Sequence, residues 1–539
     1  MDKESQIAMD LFRQIIGTEN VITDDRILGL EVTTFATHVK IKGALYPATR
    51  EQVQECVKIA NTHQIKLYPI SAGKNIGLGA QVPNTNDCVI LNLSRLNRIL
   101  DFNEDLAYIS VEPGVTQRQV SDFLSQQKSS LMLSVTGSIP ESSIIGNTAE
   151  RGDTTGPYIE RCDYVCNLGV VLANGDYIKT GAGLYQQSKI QHVTRWGLGP
   201  DLSGLFIQSN LGIITDLTLW LSPAPQDKDG ILFTLNSDEQ LAQVCDALRT
   251  LKLKDVISDV SLRNDYKLAA TVGRYPWQEI NDQMSLNQWM ENWRKKYSLG
   301  KWNGLIVLRS SSKAVNRARK KEIYKALRGK VSYRIAITDF KFKLLTYFKG
   351  FLHSVTRINL DVIVSIKEMF GSQGKSGYTS AKSLYWRKRL PENAMPNLAM
   401  PEKDKVGFIW CSVNVPSIGS DIVKAVQMAE TIIQQHQFEP NLCVLYSTGK
   451  RAVMLPCAIT YDREVPGEDE KAMACYEVLL KEFIDAGYYP NRLGIQSMGA
   501  IPPSDYDNEA LIRDLKKALD PHDIIAPGKY DFRHNWHQF

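Results

Sequence analysis

Three glycines within seven residues most constrain what this chain can fold into: Pro69-Ile70-Ser71-Ala72-Gly73-Lys74-Asn75-Ile76-Gly77-Leu78-Gly79. The stretch follows a short apolar run, Ile65 to Tyr68, that reads as a strand leaving a helix. Without Cβ atoms the backbone approaches a ligand closely, and amides freed in such a turn converge on one anion, which suits a pyrophosphate. Lys74 adds a point charge and Asn75 an amide. Two commoner phosphate loops are excluded. Tyr68 stands where a Walker A loop needs its first glycine, and Asn75 where it needs Ser or Thr. The spacing G-x-x-x-G-x-G also differs from the dinucleotide pattern G-x-G-x-x-G. By itself the loop is equally an ordinary glycine-rich surface turn.

A chain of 539 residues exceeds one core and suggests two or three domains. With 43% hydrophobic and 23% charged residues it has the balance of a soluble globular protein. A net charge of +4 is small at this length and argues against nucleic acid or a membrane surface as partner. The nine cysteines are scattered; Cys162 and Cys166 form a C-x-x-x-C with no second pair, so no metal site is expected. Buried, reduced thiols of a cytoplasmic protein are the expectation. The start, Met1-Asp2-Lys3-Glu4, is polar, without the apolar core of a secretory signal. No run approaches the roughly 20 apolar residues that span a bilayer.

Along the chain, Ile7, Leu11 and Ile15 mark a short amphipathic helix. Thr49-x-x-Gln52 reads as a capping box before a helix carrying Val53, Cys56, Val57 and Ala60. Strands follow at 65–70, 89–91 and 108–111, and Thr116-x-x-Gln119 opens a second helix, so the alternation indicates an α/β domain. Gly137 to Asn147 is small and polar and reads as a second loop laid against a ligand. Asn174-Gly175 turns a hairpin between Val170–Leu172 and Tyr177–Ile178. Pro223, Pro225 and polar Gln226–Gly230 mark a boundary, beyond which strand-like runs alternate with amphipathic helices in a second, α+β domain. Arg309–Lys330 is the most basic segment, a solvated helix face or a docking patch for an acidic partner or membrane headgroups. Trp277, Trp289, Trp293 and Trp302 read as core. In the tail, Pro521, Pro527 and Gly528 build a rigid turn presenting Lys529, for which a flavin's pyrimidine edge is one candidate partner.

Four stretches now stand in one order: the glycine loop, Ile145-Gly146-Asn147-x-x-Glu150-Arg151-Gly152, Leu205-Phe206-x-Gln208-Ser209-Asn210-x-Gly212-Ile213, and Ala526-Pro527-Gly528-Lys529. Together they resemble the vanillyl-alcohol oxidase / p-cresol methylhydroxylase family of FAD flavoproteins, with Trp302-Asn303 and Tyr385-Trp386-Arg387 similar to cap-domain landmarks. The resemblance implies an α+β, two-domain flavoprotein with a split FAD-binding α/β domain and an inserted α+β cap. The expected boundaries are 1–225 for the first part of the FAD-binding domain, 226–475 for the cap and 476–539 for the returning C-terminal segment. Ser71, Ala72, Gly73, Lys74, Asn75, Gly77 and Gly79 would hold FAD from one loop. Gly137, Ser138, Ser142, Gly146 and Asn147 would hold it from the other, with Ile214 and Lys529 beside it. Lys529 would stabilise the charge that grows near N1 of the reduced ring.

Departures from the family bear on substrate. Leu78 stands where the phenol-oxidising branch has a tyrosine, and Asn491-Arg492 where it has a Tyr-Arg pair. Arg492 is left to bind a carboxylate, phenolate or enolate, or to balance the flavin's charge. Ser138 aligns with the branch's catalytic aspartate and is no base unaided, so Tyr489, a cap residue or water would take a proton. Glu150 is the nearest carboxylate and reads as an ion pair with Arg151. Phe408 falls at the histidine that anchors FAD covalently in relatives and Lys74 at a second linkage site, so non-covalent FAD is expected, with Cys411 and cap tyrosines as remaining anchors. Gly137 leaves room for oxygen beside the ring and favours an oxidase.

The first reading is therefore an FAD-dependent oxidoreductase taking a hydride from a small alcohol, amine or aromatic-type substrate. The second is a dehydrogenase passing electrons to a carrier protein, and the third a catalytically degenerate FAD-binding partner subunit. A homo-oligomer or a redox partner is compatible with each.

Overall fold

The computed structural model describes residues 3–530 apart from 281, 283, 339–373, 392, 448 and 501. Met1 and Asp2 of the polar start, and positions 531–539 of the tail, lie outside the described residues.

Among the described residues three sheets carry the architecture. The first is four-stranded, in the order Val21–Ile22, Ile41–Leu45, Cys88–Asn92, Leu67–Ile70, and its last three strands are parallel. Cys88-Val89-Ile90-Leu91 is buried on both faces, as a central parallel strand covered by helices requires. Helix Arg50–Thr62 lies in the same core with Val53, Cys56, Val57 and Ala60. Thr49 caps it by accepting from Gln52 N at 3.2 Å, but the Gln52 side chain accepts from Ala48 N, one residue earlier than a capping box requires. The box at Thr116 is complete.

Helix Lys3–Ile16 docks on this layer through Ala8, Met9, Phe12 and Ile16, not through the stripe the sequence suggested. Ile7 and Ile15 are exposed. The helix carries apolar residues on two faces, and the larger Met9–Phe12 pair takes the core.

The second sheet is five-stranded and antiparallel, in the order Ile99–Asn103, Tyr108–Val111, Ile213–Trp220, Val165–Val171, Tyr177–Lys179. Gly175 turns its last hairpin at φ 85°.

The third is seven-stranded and antiparallel, in the order Tyr333–Thr338, Asp227–Leu235, Trp302–Ser310, Asp259–Asn264, Asn441–Leu445, Ala452–Asp462, Val406–Pro416. The polar run after Pro225 already belongs to this sheet, since Asp227 to Gly230 pair with Ser310 to Val307. The polar side chains are held there by ion pairs, with Asp229 bound to Lys320 at 2.6 Å. Arg309 pairs with Asp259 at 2.7 Å, so part of the basic segment is internally neutralised. Trp302 and Trp293 are core as expected, whereas Trp277 is 39% exposed.

Strand alternation gives this sheet two unlike faces. Ile409, Cys411, Val413 and Val415 face helices Asp238–Leu253, Gly419–Gln435 and Glu468–Asp485, whose apolar residues share one core with them. Each such side chain fully buried contributes about 1.5–3 kcal/mol. Phe408, Trp410 and Ser412 face the opposite way, over a cavity.

The tail returns to the first sheet. Leu67 N donates to Ile524 O at 2.6 Å and Ala526 N to Leu67 O at 2.8 Å, so the chain end runs parallel to the strand that feeds the glycine loop.

Candidate active site

One cavity of about 420 Å³ lies between the two loops, the tail and the free face of the seven-stranded sheet. Its floor is the glycine loop and the Gly137–Asn147 segment. Gly73, Gly77 and Gly79 have φ of 62°, 80° and 113°, where a side chain is strained. The last two also sit where nothing larger fits: a Cβ on Gly77 would lie 2.6 Å from the Phe408 ring, and one on Gly79 2.7 Å from Ile495. Lys74 reaches across the cavity edge and donates to Ala399 O at 3.0 Å. Burial lowers its pKa, opposed by the Glu402 carboxylate.

The second loop is clamped from behind by buried Gln117. Its carbonyl oxygen accepts from Thr136 N at 2.7 Å, and its amide donates to Ile139 O at 3.2 Å. Ser142 Oγ donates to Ser138 Oγ at 2.9 Å. Ser143 caps the short helix Ile144–Ala149, accepting from Gly146 N at 2.9 Å and donating to Pro113 O at 2.6 Å. Gly146 lets the loops touch, since its Cβ would stand 3.2 Å from Ser71 Oγ. Sequence reasoning missed Arg161, which lies fully buried beneath this loop and donates through Nε to Asn147 Oδ1 at 2.7 Å. Burial lowers its pKa to about 10.

The structure brings Ser71 to Asn75, Gly137, Ser138, Ser142, Gly146, Asn147, Arg492 and Lys529 to this one cavity. It places four expected residues elsewhere. Gly77 and Gly79 turn the loop rather than line the space. Ile214 pairs with Val170 and packs behind Ile145, in the core under the short helix. Tyr489 is 53% exposed, because the bridge from Pro490 to Val413 turns its side chain outward.

Lys529 is paired with Glu150, whose other oxygen accepts from Tyr530 Oη at 3.3 Å. Burial works against the ammonium, but Glu150 and Tyr68 outweigh it and raise its pKa. The expected partner of Glu150, Arg151, is exposed and sits at φ 49°, which turns it away from the carboxylate. Cys411 is also excluded from the site, facing the core with a thiol pushed up by burial.

The roof is the part the sequence hid. Asp259–Asn264 alternates strictly, and its polar face, Ser261 and Arg263, looks into the cavity instead of solvent. Arg263 donates to Ser261 Oγ at 2.9 Å. Lys267, in helix Asp265–Val272, donates to Ser383 Oγ at 3.0 Å and stands 5.3 Å from the Trp410 ring centroid. Arg263, Lys267 and Arg492 make no ion pair among the described residues, although all three line the cavity. Arg387, one of the cap landmarks, is by contrast bound to Glu439 at 2.8 Å.

These residues fit FAD. Gly146 and Ser71 leave a cradle that a Cβ would fill, and among the described residues nothing lies nearer the Cβ position of Gly137 than Ser380 Oγ at 3.8 Å. Asn491 Oδ1 is buried at the cavity without a partner, and the carboxylate of Glu150 is already neutralised.

Residues 41–181 match the model of an FAD binding domain. The chain is 39% identical over 532 residues to 1'-carboxy-chondrochloren decarboxylase of Chondromyces crocatus, covering 98% of each. It is 27% identical to the 4-cresol dehydrogenase [hydroxylating] flavoprotein subunit of Pseudomonas putida, covering 97% of this chain and 94% of that one. The crystal structure of p-cresol methylhydroxylase with substrate bound superposes with a TM-score of 0.84 at 25% identity, over 98% of this chain and 97% of the other. With a full-length relative at this identity and the fold in common, the chain belongs to the vanillyl-alcohol oxidase / p-cresol methylhydroxylase family and is an FAD-dependent oxidoreductase.

Proposed function

We propose that this enzyme oxidises an organic substrate carrying a carboxylate, with loss of that carboxylate as CO2. The observation that carries the reading is the set of cations, Arg263, Lys267 and Arg492, facing one cavity without an acid paired to any of them among the described residues. Lys267 is buried and the two arginines half-buried, and cations taken out of water in this way are costly unless an anion joins them. A neutral phenol is a poor match, and a carboxylate a good one. The relative that is 39% identical over the whole chain is named a decarboxylase, which agrees.

Bound FAD supplies the two-electron acceptor for a hydride, and oxygen then takes those electrons to give hydrogen peroxide. The substrate loses the hydride from the carbon β to its carboxylate. The electrons of the C–CO2 bond close the new C=C bond, and CO2 departs. Atoms and charge balance with no proton removed, which accounts for Ser138 where the phenol-oxidising branch has an aspartate. The residues' part is to bind and orient: the floor loops hold the cofactor, Lys529 with Glu150 ties the tail to them, and the roof cations hold the anion. Phe408 at the anchoring position supports non-covalent FAD, and the open space at Gly137 supports reoxidation by oxygen. The small-molecule substrate would enter from the cap side. A cytoplasmic place of action belongs to the same reading, supported by free thiols at all nine cysteines.

The test is anaerobic mixing of the yellow holoenzyme with 3-arylpropanoates. Bleaching with one CO2 and one styrene formed per flavin reduced is the expected result. Oxidation at the benzylic carbon with the carboxylate retained would overturn the decarboxylation, and reduction by neutral 4-alkylphenols alone would overturn the carboxylate reading.

A further inference from the structure

Lys267 is buried at the roof of the cavity with little beside it to balance a positive charge. It is 7% exposed, and among the described residues its amine has one hydrogen-bonding partner, the Ser383 hydroxyl at 3.0 Å. That hydroxyl spends its own proton on Ser380 O at 2.8 Å, so it accepts from the lysine and leaves two of three ammonium directions unused. The indole face of Trp410 closes another side, a weak attraction that supplies no counter-charge. Burial lowers the lysine's pKa, and the nearby Arg263 lowers it a little more, with Cys443 working the other way. Helix Asp265–Val272 begins two residues earlier, so its positive end lies beside the same side chain. No carboxylate among the described residues pairs with Lys267.

Its backbone is nonetheless held rigidly. Asn264 caps the helix by accepting from Lys267 N at 3.0 Å, and it also accepts from Leu442 N at 3.2 Å and donates to Pro440 O at 2.5 Å. A side chain carried on so well supported a turn and aimed into a cavity is placed for a ligand. The other two cations are less constrained: Arg263 spends a donor on Ser261, and both Arg263 and Arg492 are only half-buried.

Resting on the carboxylate reading above, we propose that Lys267, with Ser383 behind it and Trp410 as its wall, is the seat of the substrate carboxylate. A carboxylate there would take the two unused N–H directions in charge-assisted hydrogen bonds and supply the charge the site lacks. The seat lies across from Gly137, linked to it through Ser383, Ser380 and the 3.8 Å gap between Ser380 Oγ and the Gly137 Cβ position. Held at its carboxylate, a substrate would lay the carbons next to that group toward the floor loops, so Lys267 is a positioning residue for the bond that breaks.

The experiment titrates the holoenzyme with 3-phenylpropanoate and with its methyl ester, reading Kd from the perturbed flavin absorbance. Lys267→Met is expected to weaken the acid by about tenfold or more while leaving the ester within about twofold, and Lys267→Arg to restore part of the loss. Flavin content and the absorbance of each variant establish that it is folded. Equal losses for acid and ester, an unchanged acid Kd in Lys267→Met, or no acid binding to the wild type would overturn the seat. A wild type that binds the acid through Lys267 yet releases no CO2 would overturn the decarboxylation and leave the seat standing. Turnover that ignores the substitution would do the reverse.

Discussion

The floor and the roof of the cavity meet the same space with opposite materials. On the floor, Gly73 to Asn75 and Gly137 to Asn147 offer backbone and hydroxyls, and the buried charges of Lys529 and Glu150 are closed on each other. On the roof, Arg263 and Lys267 bring charge to the cavity with only serine hydroxyls beside them. A floor in which Lys529 and Glu150 close on each other needs nothing from the substrate to satisfy that pair. A roof that is not neutral gains most when an anion arrives. The difference divides the labour: the floor selects the cofactor and the roof selects what is oxidised.

The sharpest way to break the floor is at its closest approach to the roof. Gly77→Val would set a side chain 2.6 Å from Phe408 at φ 80°. The left-handed backbone costs about 1–2 kcal/mol and the overlap about 1–3 kcal/mol more. The expected result is protein that purifies without yellow colour and takes up added FAD poorly. A normal flavin-to-protein ratio would show that the loop gives way freely and is no rigid cradle.

Comparable in size is Lys529→Met, which leaves Glu150 without its cation at a cost of about 3–5 kcal/mol. The double variant with Glu150→Gln should recover most of that in chemical denaturation. Because the pKa of Lys529 is raised on folding, its contribution is complete below the unfolded value near 10.4 and is lost only as pH climbs through the folded one. The gap between wild type and Lys529→Met should therefore stay constant from pH 6 to 9. A gap that shrinks across that range would mean the pair is not the source of the stability.

The two halves also differ in how far they could be read beforehand, for a physical reason. Gly73, Gly77, Pro527 and Gly528 announce backbone geometry through local chemistry, so both the glycine loop and the tail turn were legible. The pair Lys529–Glu150 spans 379 positions, and the adjacent Arg151 looked the nearer partner until its backbone angle turned it away. The roof failed in another manner. Arg263 occupies the polar phase of an alternating strand, which ordinarily faces water, and only the sheet's position over the loops makes that face interior. Tyr489 failed in the opposite direction, since its place beside Arg492 in sequence said nothing about the bridge that points it outward.

A smaller effect tests the route of oxygen. Gly137 has no positive φ, and its Cβ direction is empty to Ser380 Oγ at 3.8 Å, so Gly137→Val should fold and hold FAD normally. Filling that space should slow reoxidation of the reduced enzyme in air by roughly tenfold, a change of about 1.4 kcal/mol in the barrier, while the anaerobic half-reaction stays near the wild-type rate. Equal reoxidation rates would move the oxygen path away from this glycine.

The smallest change expected is the most discriminating. Removing a true general base costs about 10²–10⁴ in rate. If the electrons for the new double bond come from the bond to the carboxylate, Ser138 carries no proton in the reaction. Its hydroxyl only accepts from Ser142 at 2.9 Å, so Ser138→Ala should leave flavin reduction within about threefold. The same logic predicts a large isotope effect when the β carbon bears deuterium, and none when the solvent is D2O. A solvent effect that vanishes in Ser138→Ala together with a hundredfold loss of rate would place a proton transfer at Ser138, and the roof's cations would then be holding an anion that stays on the substrate.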